Sequence, residues 1–327
     1  MISGFGRVTI TAALLGMAFS GYADAKKTIA VIPKGTTHEY WKSVHAGANK
    51  AAAEFGVNVI WKGPLKEDDR SAQISVVEDF IARGVDGIVL APLDDSALAL
   101  PVRNAAAADI PVVIFDSALK GQDYVSFVAT DNHKGGEIAG DDVVKLLGGK
   151  GNVAMLRYQE GSASTMEREK GFLDAIAKAP GIKVVSSNQY GGATAESAQK
   201  ASENLIASLK KADGTLGVDA VYTPNESTTF GMLRALQEQN LAGKVKFVGF
   251  DASSKLVAAL KDGQINGLVI QNPFKMGYLS VKSMKDHLDG KPVEKRIDTG
   301  ATLATKENAS DPAIKAILEP DLTQWLK

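Results

Sequence analysis

The sequence predicts an α/β protein built from two doubly wound parallel-sheet lobes, on three observations. Ten short runs rich in β-branched residues recur along the chain. Each is almost unbroken in apolarity, as parallel strands buried on both faces require. Longer segments with helical spacing separate them, and regular strand–helix alternation means a doubly wound sheet. A glycine-rich stretch, "LLGGKGN" from Leu146 to Asn152, falls between the fifth and sixth runs as a seam between two α/β halves.

The strand runs of the first half are "TIAVIP", "VNVIW", "DGIVLAP", "PVVIFD" and "VSFVAT", beginning at Thr28. A helical segment from about His133 to Leu147 leads into "NVAMLRY", "KVVSSNQY", "DAVYTPN", "KFVGFD" and "GLVIQN". Between them, "DRSAQISVVEDFIARG" repeats apolar residues at Ile74, Val77, Phe80 and Ile81, three- and four-residue steps that make one helix face, and Gly84 supplies the stop. "STMEREKGFLDAIAKAPG" opens with Ser164 and Glu167 in capping-box spacing and stops at Pro180-Gly181.

The 327 residues suffice for two domains of ordinary size, and a net charge of -1 marks neither a nucleic-acid binder nor a polybasic membrane binder. Residues 1–25 carry Arg7, then the apolar run "VTITAALLGMAFSGY", then "ADA" with Ala23 and Ala25 at the -3 and -1 positions. This is the layout of a cleaved secretory signal. As a membrane anchor the run falls short of the roughly 20 apolar residues a span needs. There is no cysteine, hence no disulfide and no lipid attachment point, so the mature chain from about Lys26 is expected free in a periplasm.

In open parallel sheets, ligands bind beyond the carboxyl ends of the strands. In the first half those ends carry Lys34, Asp94, and Asp116-Ser117; in the second they carry Tyr158, Tyr190, Asn225, Asp251 and Gln271. Halves that face each other would enclose a pocket of fixed donors and acceptors suited to a polyhydroxylated ligand. Tyr40 and Trp41, on the loop after the first strand, offer flat apolar faces for a sugar ring.

Blander roles compete at several of these positions. Asp94 precedes "DDSALAL" and reads as a helix N-cap rather than a ligand. Tyr158 and Tyr190 fit core closure as well as a cleft, and Trp41 fits a hydrophobic lid over the first helix. Asp116 and Asp251 end apolar strands with no evident capping role, so there the binding role leads. His38 and His45 lack the companions of a metal site, and His45 reads as a helix-surface residue. No P-loop, G-x-S-x-G, H-E-x-x-H or dinucleotide glycine spacing occurs.

The stretches "IPVVIFDS" (Ile110 to Ser117), "ATDNHKGGEIAG" (Ala129 to Gly140), "EREKGF" (Glu167 to Phe172), "AVYTPNESTTFGMLRAL" (Ala220 to Leu236) and "FVGFDAS" (Phe247 to Ser253) carry a family likeness over nearly all of the mature chain. The sequence resembles the ribose-type periplasmic sugar-binding proteins of ABC importers, which have the type I binding-protein fold. The resemblance implies two lobes joined by a three-segment hinge, with crossings near Thr130-Asp131, Gln271-Asn272 and Asp298-Gly300. The expected lobes are then 26–130 plus 272–298, and 131–271 plus 299–327.

It also implies sugar contacts at Lys34, His38, Tyr40, Trp41, Asp116, Ser117, Asn225, Asp251 and Gln271. Ser117 stands where many relatives have an arginine. Met166 stands where they have a pocket arginine in a helix's first turn, with Arg168 two residues on as a substitute or a packing residue. "IPK" at Ile32 to Lys34 and "FDS" at Phe115 to Ser117 also look like autoinducer-2- and rhamnose-binding relatives. The implied function is a non-enzymatic receptor that closes on a small sugar or polyol and delivers it to a permease. The expectation is a monomer without cofactor, with a chemoreceptor as a further candidate partner. A ligand-responsive transcription regulator would need a helix-turn-helix where this chain has an export signal. A paired-carboxylate glycosidase using Asp116 and Asp251 is the enzymatic alternative.

Overall fold

A computed structural model of the protein describes residues 1–2 and 25–326, so most of the segment read as an export signal lies outside the described residues. In chain order the elements are β1 (Thr28–Ile32), α1 (Glu39–Phe55), β2 (Asn58–Trp61), α2 (Arg70–Ala82), β3 (Gly87–Leu90), α3 (Ala99–Ala107), β4 (Val112–Phe115) and β5 (Ser126–Ala129). Next come α4 (Asn132–Leu146), β6 (Lys150–Arg157), α5 (Ala163–Ala177), β7 (Gly181–Tyr190), α6 (Ala195–Leu209), β8 (Ala220–Tyr222), α7 (Glu226–Glu238) and β9 (Lys246–Phe250). The chain continues through α8 (Ser254–Lys261), β10 (Gly267–Gln271), α9 (Pro273–Leu288), β11 (Arg296–Asp298), β12 (Ala301–Ala304) and α10 (Pro312–Leu318). All ten predicted strand runs form strands.

They build two six-stranded sheets, ordered β11-β5-β4-β3-β1-β2 and β12-β10-β9-β8-β6-β7. The sheets are not wholly parallel: β12 runs antiparallel to β10, pairing Leu268 with Ala304 and Gln271 with Ala301. Neither β11 nor β12 was predicted. The glycine stretch is not the seam either. It is the turn between α4 and β6, because α4 packs on α5, β9, β10 and β12 of the second sheet.

Alternation along each strand explains the unbroken apolar runs, since successive side chains point to opposite faces. Ile29, Val31, Val89, Val113 and Phe115 meet α1 and α9, while Ala30, Ile32, Ile88, Leu90 and Ile114 meet residues of α2 and α3. The second sheet repeats the plan. Val153, Met155, Tyr222, Val248 and Phe250 join the α4 and α5 side chains, and Leu156, Val221, Phe247, Leu268 and Ile270 join α6, α7 and α8.

Each lobe clasps one helix pair through facing glycines. A β-carbon on Gly47 would lie 2.0 Å from the Phe274 carbonyl oxygen, and one on Gly277 would lie 2.0 Å from that of Val44. Gly136 and Gly171 stand in the same relation to Arg168 and His133, so α1–α9 and α4–α5 cross at backbone contact.

Where β5 leaves the first sheet and β12 enters the second, the passing segments are tied together. The Arg296 guanidinium donates to the carbonyls of Ala129 (2.7 Å), Thr130 (3.1 Å) and Ile297. The Asp298 carboxylate accepts from the N–H groups of Asp131 (3.1 Å) and Gly300 (2.9 Å). The connection from β10 to α9 is separate, and there Asn272 caps α9 by accepting from the Lys275 N–H at 2.9 Å.

Candidate functional site

The carboxyl ends of the two sheets face each other across a closed cleft. Its cavity is walled by Lys34, His38, Tyr40, Trp41, Glu67 and Asp116 from one side and Tyr158, Arg168, Asn225, Glu226 and Asp251 from the other, with Ser162, Ser164 and Thr165 between. Eight of the eleven sequence-predicted site residues therefore line it. Ser117 lies beside it, fully buried, and Gln271 reaches it through Asp251. Met166 does not line it.

Asp116 and Asp251 occupy matching places at the ends of β4 and β9. Both adopt left-handed backbone, with φ of 63° and 69°. Asp tolerates this conformation better than most residues, yet it remains costly, and such positions persist where the surroundings over-determine them. Asp116 accepts from Lys34 Nζ (2.9 Å) and from the Tyr40 hydroxyl (2.9 Å). Asp251 accepts from Gln271 Nε2 (2.6 Å) and from the Glu226 N–H (3.0 Å). The second bond gives Asp251 a share in capping α7, a role the sequence reading did not assign to it.

The remaining polar groups reach across the cleft. Lys34 Nζ also donates to the hydroxyls of Ser164 (3.0 Å) and Ser162 (3.3 Å). Ser117 Oγ donates to Ser164 Oγ (2.8 Å) and accepts from the Ser164 N–H (3.1 Å). Ser164 is thus not the cap of a capping box: the N-cap position is Ser162, and no side-chain capping bond forms. Asn225 does cap α7, accepting from the Thr228 N–H and hydroxyl.

Arg168 is a buried tie more than an open donor. It donates to Asn132 Oδ1 (2.9 Å) and the Pro224 carbonyl (3.0 Å), and it stacks on Phe250 with 4.0 Å to the ring centre. Its guanidinium stands 3.9 Å from the Asp251 carboxylate. Asp94 ties the turn before α3, accepting from Ser96 and Ala97, and pairs with Arg70 at 2.9 Å; the helix itself starts later, at Ala99. Tyr190 is exposed and does not line the cavity, and His45 is half-buried, stacked on Trp61 with ring centres 4.4 Å apart.

Sequence reasoning missed five of the lining residues, Glu67, Ser162, Ser164, Thr165 and Glu226, and Glu67 is the most connected carboxylate among them. Its carboxylate accepts from His38 Nδ1 (2.8 Å), Trp41 Nε1 (2.6 Å) and, from the opposite lobe, the Tyr158 hydroxyl (2.6 Å). Burial pushes its carboxyl up, but His38 and then Lys34 and Tyr158 outweigh that and hold it at about 2. For His38 burial acts in the opposite direction, lowering the imidazole, and the Glu67 charge and hydrogen bond reverse the effect, raising it to about 9. Glu226 is raised to about 7 by burial, with His38 opposing. Among the described residues no group of three or more His, Asp or Glu could hold a metal. The wall is a set of paired charges and neutral donors, which can orient hydroxyls without demanding charge from a ligand.

The chain matches the model of the periplasmic binding protein domain over residues 29–292. It is 31% identical over 287 residues to a ribose import binding protein RbsB of Haemophilus influenzae, covering 88% of this chain and 94% of that one. Among solved structures, a carbohydrate transporter solute binding protein from Agrobacterium radiobacter in complex with D-arabinose is 37% identical, with a TM-score of 0.85 over 91% of this chain and 100% of that one. A solute binding protein from Agrobacterium vitis with bound D-fucose is 33% identical, with a TM-score of 0.84 over 89% of this chain and 99% of that one.

Proposed function

We propose, from the premise that this chain belongs to the periplasmic binding protein domain family, that it is a receptor for a neutral monosaccharide. It closes on the sugar between its lobes and presents it to the permease of an ABC importer. One observation carries the reading: both sheets aim charged and hydroxyl groups from their strand ends into one cavity, where Lys34–Asp116 and Arg168–Asp251 sit in opposite walls. Hydroxyls entering between these pairs gain charge-assisted hydrogen bonds, each about 1.5–3 kcal/mol. Tyr40 and Trp41, with rings nearly perpendicular and 4.9 Å apart, give the same cavity its aromatic surface.

The lobes of this reading are 26–130 plus 272–298 and 131–271 plus 299–327, hinged at the tied crossings. The site binds without turnover. The protein acts as a monomer in the periplasm after cleavage before Lys26, which N-terminal mass analysis of the exported form checks. Among the described residues no helix is long and apolar enough to cross a membrane. A chemoreceptor that reads the closed form is a compatible second partner.

The relative bound to D-arabinose favours a pentose, and the one bound to D-fucose favours a 6-deoxyhexose. A thermal-shift screen of residues 26–327 against aldopentoses, hexoses, 6-deoxysugars and polyols separates these. A true ligand raises the melting temperature progressively with concentration, because it binds only the folded form. No shift with any of the four classes would refute the reading.

A further inference from the structure

Two helices bordering the cleft begin without a side-chain cap from their own lobe. α1 follows His38 and α8 follows Ser253, and neither residue makes a side-chain capping bond. In both cases the missing acceptor comes from across the cleft. The Glu226 carboxylate accepts from the N–H groups of Glu39 (3.2 Å) and Tyr40 (3.0 Å), one on each oxygen. The Glu39 carboxylate accepts from the Ser254 N–H (2.9 Å) and the Ser254 hydroxyl (2.8 Å). First-turn N–H groups have no partner within their helix, and a carboxylate there is also favoured by the helix dipole. Each lobe thus completes a helix of the other.

We propose that Glu39 and Glu226 form a closure latch, two reciprocal interlobe helix caps that set the resting balance between open and closed forms. The contacts involve no ligand atom, so they favour closure whether or not the cavity is filled. Glu226 sits on the cavity wall, and its own N–H holds Asp251, so it joins the latch to the site. Glu39 stands outside that cavity. It lines a second interlobe space of about 570 Å³ beside the β10–α9 crossing, shared with Lys42, Ser43, Lys261 and Leu318. Apparent affinity scales with the fraction of protein already competent to bind, so the latch is a positioning device for affinity and residence time. Its ligand-bound consequences rest on the receptor reading above; its ligand-free consequences do not.

The chain has no cysteine, so Arg103→Cys in the first lobe and Lys200→Cys in the second, both exposed, accept one dye pair cleanly. Single-molecule energy transfer without sugar should show a minor closed population in the otherwise native protein. Glu39→Ala should lower it about five- to tenfold, the scale of one or two net hydrogen bonds at an exposed edge. Glu39→Gln keeps side-chain length and one acceptor oxygen and should fall between. With D-arabinose as probe, Glu39→Ala should speed release by the same factor and leave the association rate unchanged. A single open population without sugar, or a histogram that Glu39→Ala does not move, overturns the latch. A lower urea midpoint with an unmoved histogram overturns it too, because Glu39 would then serve only α1. If D-arabinose does not bind, the sugar-free arm still decides, so failure of the latch and failure of the receptor reading stay distinguishable.

Discussion

Replacing Glu67 by glutamine tests the electrostatics of the cleft at its most connected point. The carboxylate is buried, accepts from three donors, and sits at about 2 against an ordinary 4.5. That depression corresponds to about 3 kcal/mol of folded-state preference for the charged form. The amide keeps one acceptor oxygen, so Glu67→Gln should cost about 2–3 kcal/mol where the contribution is complete. A carboxyl lowered by folding stabilises above its unfolded value, and the gain is lost as pH falls from 4.5 toward about 2. His38 is raised from 6.5 to about 9, so its share is complete below 6.5 and lost as pH rises toward 9. Both shifts describe one ion pair, and the gap between native and variant should plateau between the two unfolded values. Urea titrations at about pH 3, 5.5 and 9.5 should therefore give the widest gap at the middle pH. An equal gap at all three, or one below about 0.5 kcal/mol at the middle pH, would refute the ion pair as the source.

Lys34→Met strands the buried Asp116 charge with Tyr40 as its remaining close donor and should destabilise the protein by about 3 kcal/mol, read from urea unfolding. Asp116→Asn and Asp251→Asn should each weaken the binding of a sugar found by the screen by about 2–3 kcal/mol by calorimetry. Asp251→Asn should also lower the melting temperature, because Asp251 accepts from the first N–H of α7. Gly171→Ala pushes a β-carbon to 2.0 Å from the His133 carbonyl oxygen, and separation of α4 and α5 should cost about 2 kcal/mol despite the better helix propensity of alanine.

How much of this was readable from the sequence depends on what holds each piece. Eight of the ten recognised strands lie inside a sheet and are set by their own composition, since a strand buried on both faces must be apolar throughout, whereas β2 and β7 are half-exposed edges marked by their paired β-branched residues. "RID" and "ATLA" escape detection because β11 and β12 are edge strands of three and four residues with a single β-branched residue each. Asp116 and Asp251 were legible as polar residues closing apolar runs, each after a phenylalanine. Glu67 was not, because "KEDDR" reads as a solvated loop. Its burial comes from Trp41 and from Tyr158, 91 residues away in the other lobe.

Met166 and Arg168 show what a motif carried over without geometry leaves undecided. Two residues along a helix turn the side chain through about 200°, so the two cannot share a face. Ser164, Thr165 and Arg168 lie three to four residues apart and are all buried, which puts the cleft on their side of α5. Ser164 could have closed its own helix turn, as its spacing to Glu167 suggested. It instead meets Lys34, because α5 already begins at Ala163, so the cap position falls to Ser162 and the Ser164 hydroxyl is left to accept a charge-assisted bond. Local spacing gives way here to a partner 130 residues distant, and the same exchange recurs where Glu226 caps α1 in place of any residue of its own lobe.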